Sequence, residues 1–126
     1  MTDKQILGEK GEKAVAKFLK KNKYKIITRN YSSKTGEIDI IAENKEYIAF
    51  VEVKTRHAGQ MLSPQFAVGV RKQRRIMLTA AGFLKQYMYD KQPRFDVAEV
   101  IVYDKGKPNI NYIENAFTQG GDYAPF

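Results

Sequence analysis

The segment Tyr47-Ile48-Ala49-Phe50-Val51-Glu52-Val53-Lys54-Thr55 limits the fold more than any other stretch of the chain. It is rich in β-branched and aromatic residues, and both faces of a strand over Ile48–Val53 are apolar until Glu52 interrupts one of them. Such a strand escapes water only in the middle of a sheet covered on both sides. The chain therefore needs helices above and below a sheet, with a carboxylate carried into the covered region.

The neighbouring segments supply those parts. Thr2 with Gln5 makes a capping-box pattern, and Leu7, Gly11, Ala14, Val15 and Phe18 recur at helical spacing, so residues 3–21 form the first helix. Glu12 borders the apolar stripe of that helix. Tyr24–Tyr31 reads as a first strand, Ser32–Gly36 as a turn, and Glu37–Ala42 as a second strand. The short polar link Glu43–Glu46 predicts an antiparallel hairpin with the third strand, Tyr47–Thr55. Residues 56–62 read as a loop, and Ser63-Pro64 starts a short helical lead-in. A second helix spans Val70–Met88, with Gln73, Ile76, Met77, Ala80, Leu84 and Met88 as its core side. Arg94–Tyr103 alternates as a fourth strand and Asn109–Ile113 is a short fifth. The order is α-β-β-β-α-β with a small β addition, in one domain over 1–126 whose residues from about 115 form an extended tail.

Composition removes several chemistries. The chain has no cysteine and one histidine, His57, which leaves carboxylates, lysines and hydroxyls to carry any catalysis. It holds no apolar run of the roughly 18 residues a membrane span needs. Its N-terminus lacks a signal-peptide core, so a cytoplasmic location is expected. The net charge of +8 is uneven. Residues 1–30 carry +6 and residues 61–90 carry +4, while 31–60 and 91–126 are each −1. A basic frame around an acidic centre suits a polyanion held over a cation.

Alternation places Glu37, Asp39 and Ile41 on one face of the second strand, and Phe50, Glu52 and Lys54 on one face of the third. A hairpin closed at Asn44-Lys45 sets Glu37 opposite Glu52, with Asp39 on the diagonal. A register shifted by two sets Asp39 directly opposite Glu52. Either register gathers Asp39, Glu52 and Lys54 on the same side. Crowded carboxylates on a partly buried face repel one another unless a cation compensates. Mg²⁺, with Mn²⁺ as its substitute, takes oxygen ligands and bridges carboxylate to phosphate. Lys54 beside it would orient a water or stabilise charge on phosphate. Asp39 and Glu52 are thus candidate metal ligands, with Glu37 as an additional one. The plain alternative is an ion-paired trio joining two strands, and for Glu12 a solvated partner of Lys13 or Lys17.

Gly36-Glu37-Ile38-Asp39-Ile40-Ile41-Ala42 followed by Phe50-Val51-Glu52-Val53-Lys54-Thr55-Arg56 resembles the YraN-type family of small bacterial proteins. Gly8–Ala14, Arg29-Asn30-Tyr31, Lys72 and Arg94-Phe95-Asp96-Val97 fit the same family. That family is similar to archaeal Holliday junction resolvases and lies in the PD-(D/E)xK nuclease superfamily. The resemblance covers roughly residues 5–102. It implies an α/β fold with a restriction-endonuclease-like core, a central mixed sheet flanked by helices. It also implies metal ligands at Asp39 and Glu52, a catalytic lysine at Lys54 and an accessory carboxylate at Glu12. Ile38 stands where the superfamily's name has proline.

Arg56 is a candidate phosphate clamp, and Arg71, Lys72, Gln73, Arg74 and Arg75 are candidate nucleic-acid contacts. The alternative for that run is a solvated helix face. Asp96 either pairs with Arg94 or supports the site. The expected activity is Mg²⁺-dependent cleavage of nucleic acid, DNA in preference to RNA, including structured or branched DNA. A noncatalytic nucleic-acid-binding module of the same fold is the alternative. A homodimer is an expected partner, since two strands call for two subunits.

Overall fold

The computed structural model describes residues 1–60 and 68–118. Its elements are α1 (Asp3–Lys21), β1 (Lys25–Ser33), β2 (Gly36–Glu43), β3 (Tyr47–His57), α2 (Val70–Gln86), β4 (Gln92–Val102) and β5 (Asn109–Phe117). The expected Ser63-Pro64 lead-in lies outside the described residues.

The five strands form one sheet in the order β1-β2-β3-β4-β5, antiparallel except for the parallel pair β3–β4. A parallel neighbour requires a crossover, and α2 supplies it. The two helices cover opposite faces. On the α2 face, Ile76, Ala80 and Phe83 pack on Ile41, Ile48, Phe50, Phe95 and Val97. On the α1 face, Val15, Ala16 and Leu19 pack on Ile40, Ala49, Val51, Ala98 and Val100. Strand β3 contributes to both clusters, and Ile48, Ala49, Phe50 and Val51 are at most 1% exposed. That is the three-layer arrangement its composition demands.

Helix α1 begins with the capping box, Gln5 N donating to Thr2 Oγ1 and Thr2 N to Gln5 Oε1. The hairpin takes the second of the two registers, with Ile40 facing Val51 and Glu43 facing Ile48. The cause is local. Asn44 Oδ1 accepts from the N–H groups of Glu46 and Tyr47, at 2.9 and 2.7 Å, an Asx turn that places Lys45-Glu46 at the tip.

Three expectations are corrected. Helix α2 ends at Gln86, and Met88, in a left-handed conformation (φ 55°), is exposed rather than core. Thr79 and Phe83 join Gln73, Ile76 and Ala80 as its buried positions, and Leu84 is only partly buried. Strand β5 continues to Phe117, because Ala116 and Phe117 fill the α2-side core, so the expected tail does not begin at 115.

Candidate metal and nucleic-acid site

The site forms where β2 and β3 stop pairing. One step beyond the last paired residues, Ile40 and Val51, Asp39 faces Glu52. There the Val53 N–H donates to Asp39 Oδ2 at 2.8 Å, so a side chain replaces the backbone ladder. The pleat of β2 also breaks at this point. Ile38 packs in the same cluster as Ile41 rather than with Ile40. Opposite Asp39 in the β1–β2 register is Asn30, held at φ 54°. The backbone is thus irregular on both strands beside the Asp39–Glu52 pair, as it often is next to functional groups.

The two carboxyl groups are in hydrogen-bond contact. Burial first, then the adjacent Glu52 carboxylate, pushes Asp39 up to about 8. Glu52 is buried and is held below the usual carboxylate range. Burial opposes this, but its hydrogen bond from Asp39 and the ammonium groups of Lys72 and Lys54 prevail. Lys54 Nζ lies 3.9 Å from Glu52 Oε2, and Lys72 Nζ touches the same oxygen. Burial and the neighbouring Lys72 charge pull Lys54 below the ordinary lysine range, against the attraction of Glu52.

Glu12 reaches the site from α1. Its carboxylate pairs with Arg29 at 3.6 Å and lies beside Asn30, both on β1. Burial raises its pKa, with the Glu52 charge adding to the effect and Arg29 opposing it. Glu12, Asp39 and Glu52 are therefore within electrostatic reach of one another. Glu37 is exposed on the rim. A cleft of about 280 Å³ opens here, lined by Gly36, Glu37, Asp39, Glu52, Lys72, Arg75 and Ile76.

Of the remaining expected contacts, Arg71, Arg74 and Arg75 are exposed on α2, with Arg75 at the cleft. Arg56 is half-buried, and its Nη1 donates to the Gln60 carbonyl of its own loop at 3.1 Å. Gln73, expected both on the core side of the helix and among the nucleic-acid contacts, takes the core position. It is 3% exposed, and its Nε2 donates to the Val68 carbonyl at 2.7 Å. Asp96 is also away from the site, on the α1 face of β4. There it accepts from Arg94 Nε at 2.9 Å, Tyr112 Oη at 2.6 Å and Asn115 N at 2.9 Å. The Arg94 guanidinium lies 5.7 Å from the Tyr24 ring centre and 4.8 Å from that of Tyr47.

Sequence reasoning missed the placement of Lys72 on Glu52 and of Arg29 and Asn30 on Glu12. A signal for the first existed. Lys72 lies on the same helical stripe as Ile76, Ala80 and Phe83, so its stem had to point at the sheet.

The donor set fits a hard divalent cation. Two carboxylates touch in a partly buried place where like charge has already raised one pKa, a conflict that such an ion relieves. Glu52 Oε2 is enclosed and meets the lysines as charges, without a well-directed hydrogen bond. Among the described residues no three acidic or histidine groups gather tightly enough to form a complete ligand cage.

A five-stranded mixed sheet flanked by two helices, with this pair of carboxylates at its irregular edge, is a restriction-endonuclease-like core. Comparison with known proteins gives the family. The one described as "Uncharacterised protein family UPF0102", the YraN-like group, matches residues 11–100, and this chain belongs to it. The chain is 42% identical over 115 residues to a UPF0102 protein of Trichlorobacter lovleyi, covering 90% of this chain and 91% of that one. It is 45% identical over 112 residues to one from Geobacter metallireducens, covering 88% and 91%. It is also 45% identical over 112 residues to one from Alkaliphilus metalliredigens, covering 88% and 96%. No helix of the described residues is long and apolar enough to cross a membrane.

Proposed function

We propose that this protein is a Mg²⁺-dependent nuclease that hydrolyses phosphodiester bonds in DNA, with structured or branched DNA among its substrates. The observation that carries the reading is the pairing of Asp39 with Glu52 beside Lys54, in a cleft rimmed by basic residues. Hydrolysis joins a water oxygen to phosphorus and breaks one bond from phosphorus to a sugar oxygen. Mg²⁺ or Mn²⁺, held by Asp39 and Glu52 with Glu12 and Glu37 around them, would supply an acidified water and charge neutralisation. Lys54 Nζ projects beside Glu52, where an ammonium group stabilises the charge that builds on the phosphoryl oxygens. Arg75 and the exposed Arg71 and Arg74 hold the flanking phosphates, and a homodimer brings one site to each strand of a duplex.

A second reading, a noncatalytic nucleic-acid-binding module, is favoured by one observation: Glu52 is already balanced by two lysines. The test is a panel of labelled linear, flapped and four-way-junction DNAs, with RNA counterparts, incubated with Mg²⁺ or Mn²⁺. Metal-dependent cutting is the expected result. Binding without cutting, together with no metal uptake by calorimetry, would establish the module instead.

A further inference from the structure

We infer that Lys72 is a displaceable cation that occupies Glu52 while the site holds no metal, competes with the divalent ion for that carboxylate, and is released toward a substrate phosphate when the ion binds. The inference rests on the metal-site reading above and extends it to a residue outside the Asp39–Glu52–Lys54 motif.

Lys72 and Lys54 share one acceptor, and they differ in how they reach it. Lys54 lies two residues from Glu52 on the same strand, with a side chain 24% exposed, at 3.9 Å from the carboxylate. Its position is set by the strand. Lys72 makes the closer contact from a different element, the first turn of α2, and its side chain is 43% exposed. A lysine at that point is unfavourable for the helix itself. The first turn of α2 carries no acidic residue, its N-cap Gly69 offers no side-chain cap, and cations are disfavoured at a helix N-terminus. The gain that offsets this is the contact with Glu52. The same half-exposed, four-carbon stem lets the ammonium group leave without repacking the core, because Ile76 and Ala80 further along the stripe are buried in the core and Lys72 is not.

A divalent ion on Asp39 and Glu52 would share Glu52 with two ammonium groups within about 4 Å of it, a repulsive arrangement in a partly buried place. The ammonium that can move, Lys72, is the one that relieves it. Both Lys72 and Arg75 line the cleft, so the freed group remains where a phosphate arrives. Lys72 is therefore a positioning residue for the ion and a contact for the anion, in alternation.

The experiment is calorimetric titration of the metal-free protein with Mn²⁺ alone, on the full chain and on Lys72→Met and Lys85→Met variants. Lys72→Met is expected to bind Mn²⁺ roughly tenfold more tightly than the unaltered chain, since a partly exposed competing charge has been removed. Lys85→Met, an exposed residue in the last turn of α2, is expected to leave the affinity unchanged. A residue with a purely structural role weakens metal binding when removed, so tighter binding is diagnostic. Equal or weaker binding by a folded Lys72→Met overturns the inference while leaving the metal site standing. Absence of Mn²⁺ binding in every protein, Lys72→Met included, overturns the metal-site reading itself. Should Lys72→Met fail to fold, Lys72→Gln, which keeps a polar stem, is titrated in its place, with the same two outcomes.

Discussion

Gly11 of α1 lies directly against Thr55 of β3: a Cβ built on Gly11 would come within 1.8 Å of Thr55 Oγ1. No side chain fits there, so the glycine sets how closely α1 approaches the strand that carries Glu52 and Lys54. The next residue, Glu12, is brought into reach of the site by this close approach. Gly11→Ala is expected to destabilise the protein by about 1–3 kcal/mol, the usual cost of overpacking, and to weaken metal binding by displacing Glu12. Gly8→Ala, in the same helix with open space around it, is expected to raise stability by about 0.5–1 kcal/mol. Urea denaturation of the two variants checks both, and equal effects would refute the role of packing at Gly11.

The raised pKa of Asp39 gives a pH-dependent prediction for the metal-free protein in chelator. Asp39 has an ordinary value of 3.8 and is raised to about 8 in the fold. Between those values the unfolded chain has released this proton and the folded chain still holds it. The folded state binds more protons, so this group's contribution to stability falls as pH rises from about 4 to about 8. Asp39→Asn removes the effect. It is expected to be more stable than the unaltered chain by more than about 1 kcal/mol at pH 8, with the difference vanishing near pH 4. A difference independent of pH would show that Asp39 is not crowded by Glu52.

For catalysis, Asp39→Asn and Glu52→Gln are expected to abolish cleavage, because neutral amides hold Mg²⁺ poorly. Lys54→Ala is expected to cost about 2.7–4 kcal/mol in transition-state stabilisation, a loss of about 10²–10³ in rate. Nucleic-acid binding should persist in all three. Rates from single-turnover cleavage and affinities from titration at fixed salt separate the two effects.

The exposed arginines are expected to act on binding alone. Changing Arg71, Arg74 and Arg75 to Glu together should weaken DNA binding and flatten its dependence on salt, by roughly one unit of log–log slope for each phosphate no longer neutralised. Thermal melts should remain nearly unchanged. An unaltered salt slope would identify this face as solubilising only.

Asp96 predicts stability rather than activity. It is 0% exposed and carries a charge satisfied by Arg94, Tyr112 and Asn115. Asp96→Ala leaves the 7%-exposed Arg94 without its buried partner and is expected to cost about 3–5 kcal/mol. Tyr112→Phe removes one hydrogen bond to the same carboxylate, at a cost of about 1.5–3 kcal/mol. Denaturant midpoints measure both, and an Asp96→Ala protein as stable as Tyr112→Phe would contradict the assignment.

The sequence by itself determined the parts governed by short-range rules. The Thr2–Gln5 cap, the doubly apolar β3 and the common side of Asp39, Glu52 and Lys54 follow from hydrogen bonds a few residues apart and from the two-residue pleat. The hairpin register lay between two alternatives, since alternation cannot distinguish shifts of two, and the Asx turn at Asn44 selected one. Tertiary packing decided everything that joins distant segments. Lys72 reaches Glu52 only because the crossover seats the start of α2 over the β2–β3 edge. Arg29 and Asn30 reach Glu12 only because α1 docks as closely as Gly11 permits. Arg94 is polar by sequence and buried by its neighbours. Met88, apolar by sequence, turned to solvent once α2 ended before it. Such contacts depend on how elements approach one another, and a linear pattern of residues carries no distance between them.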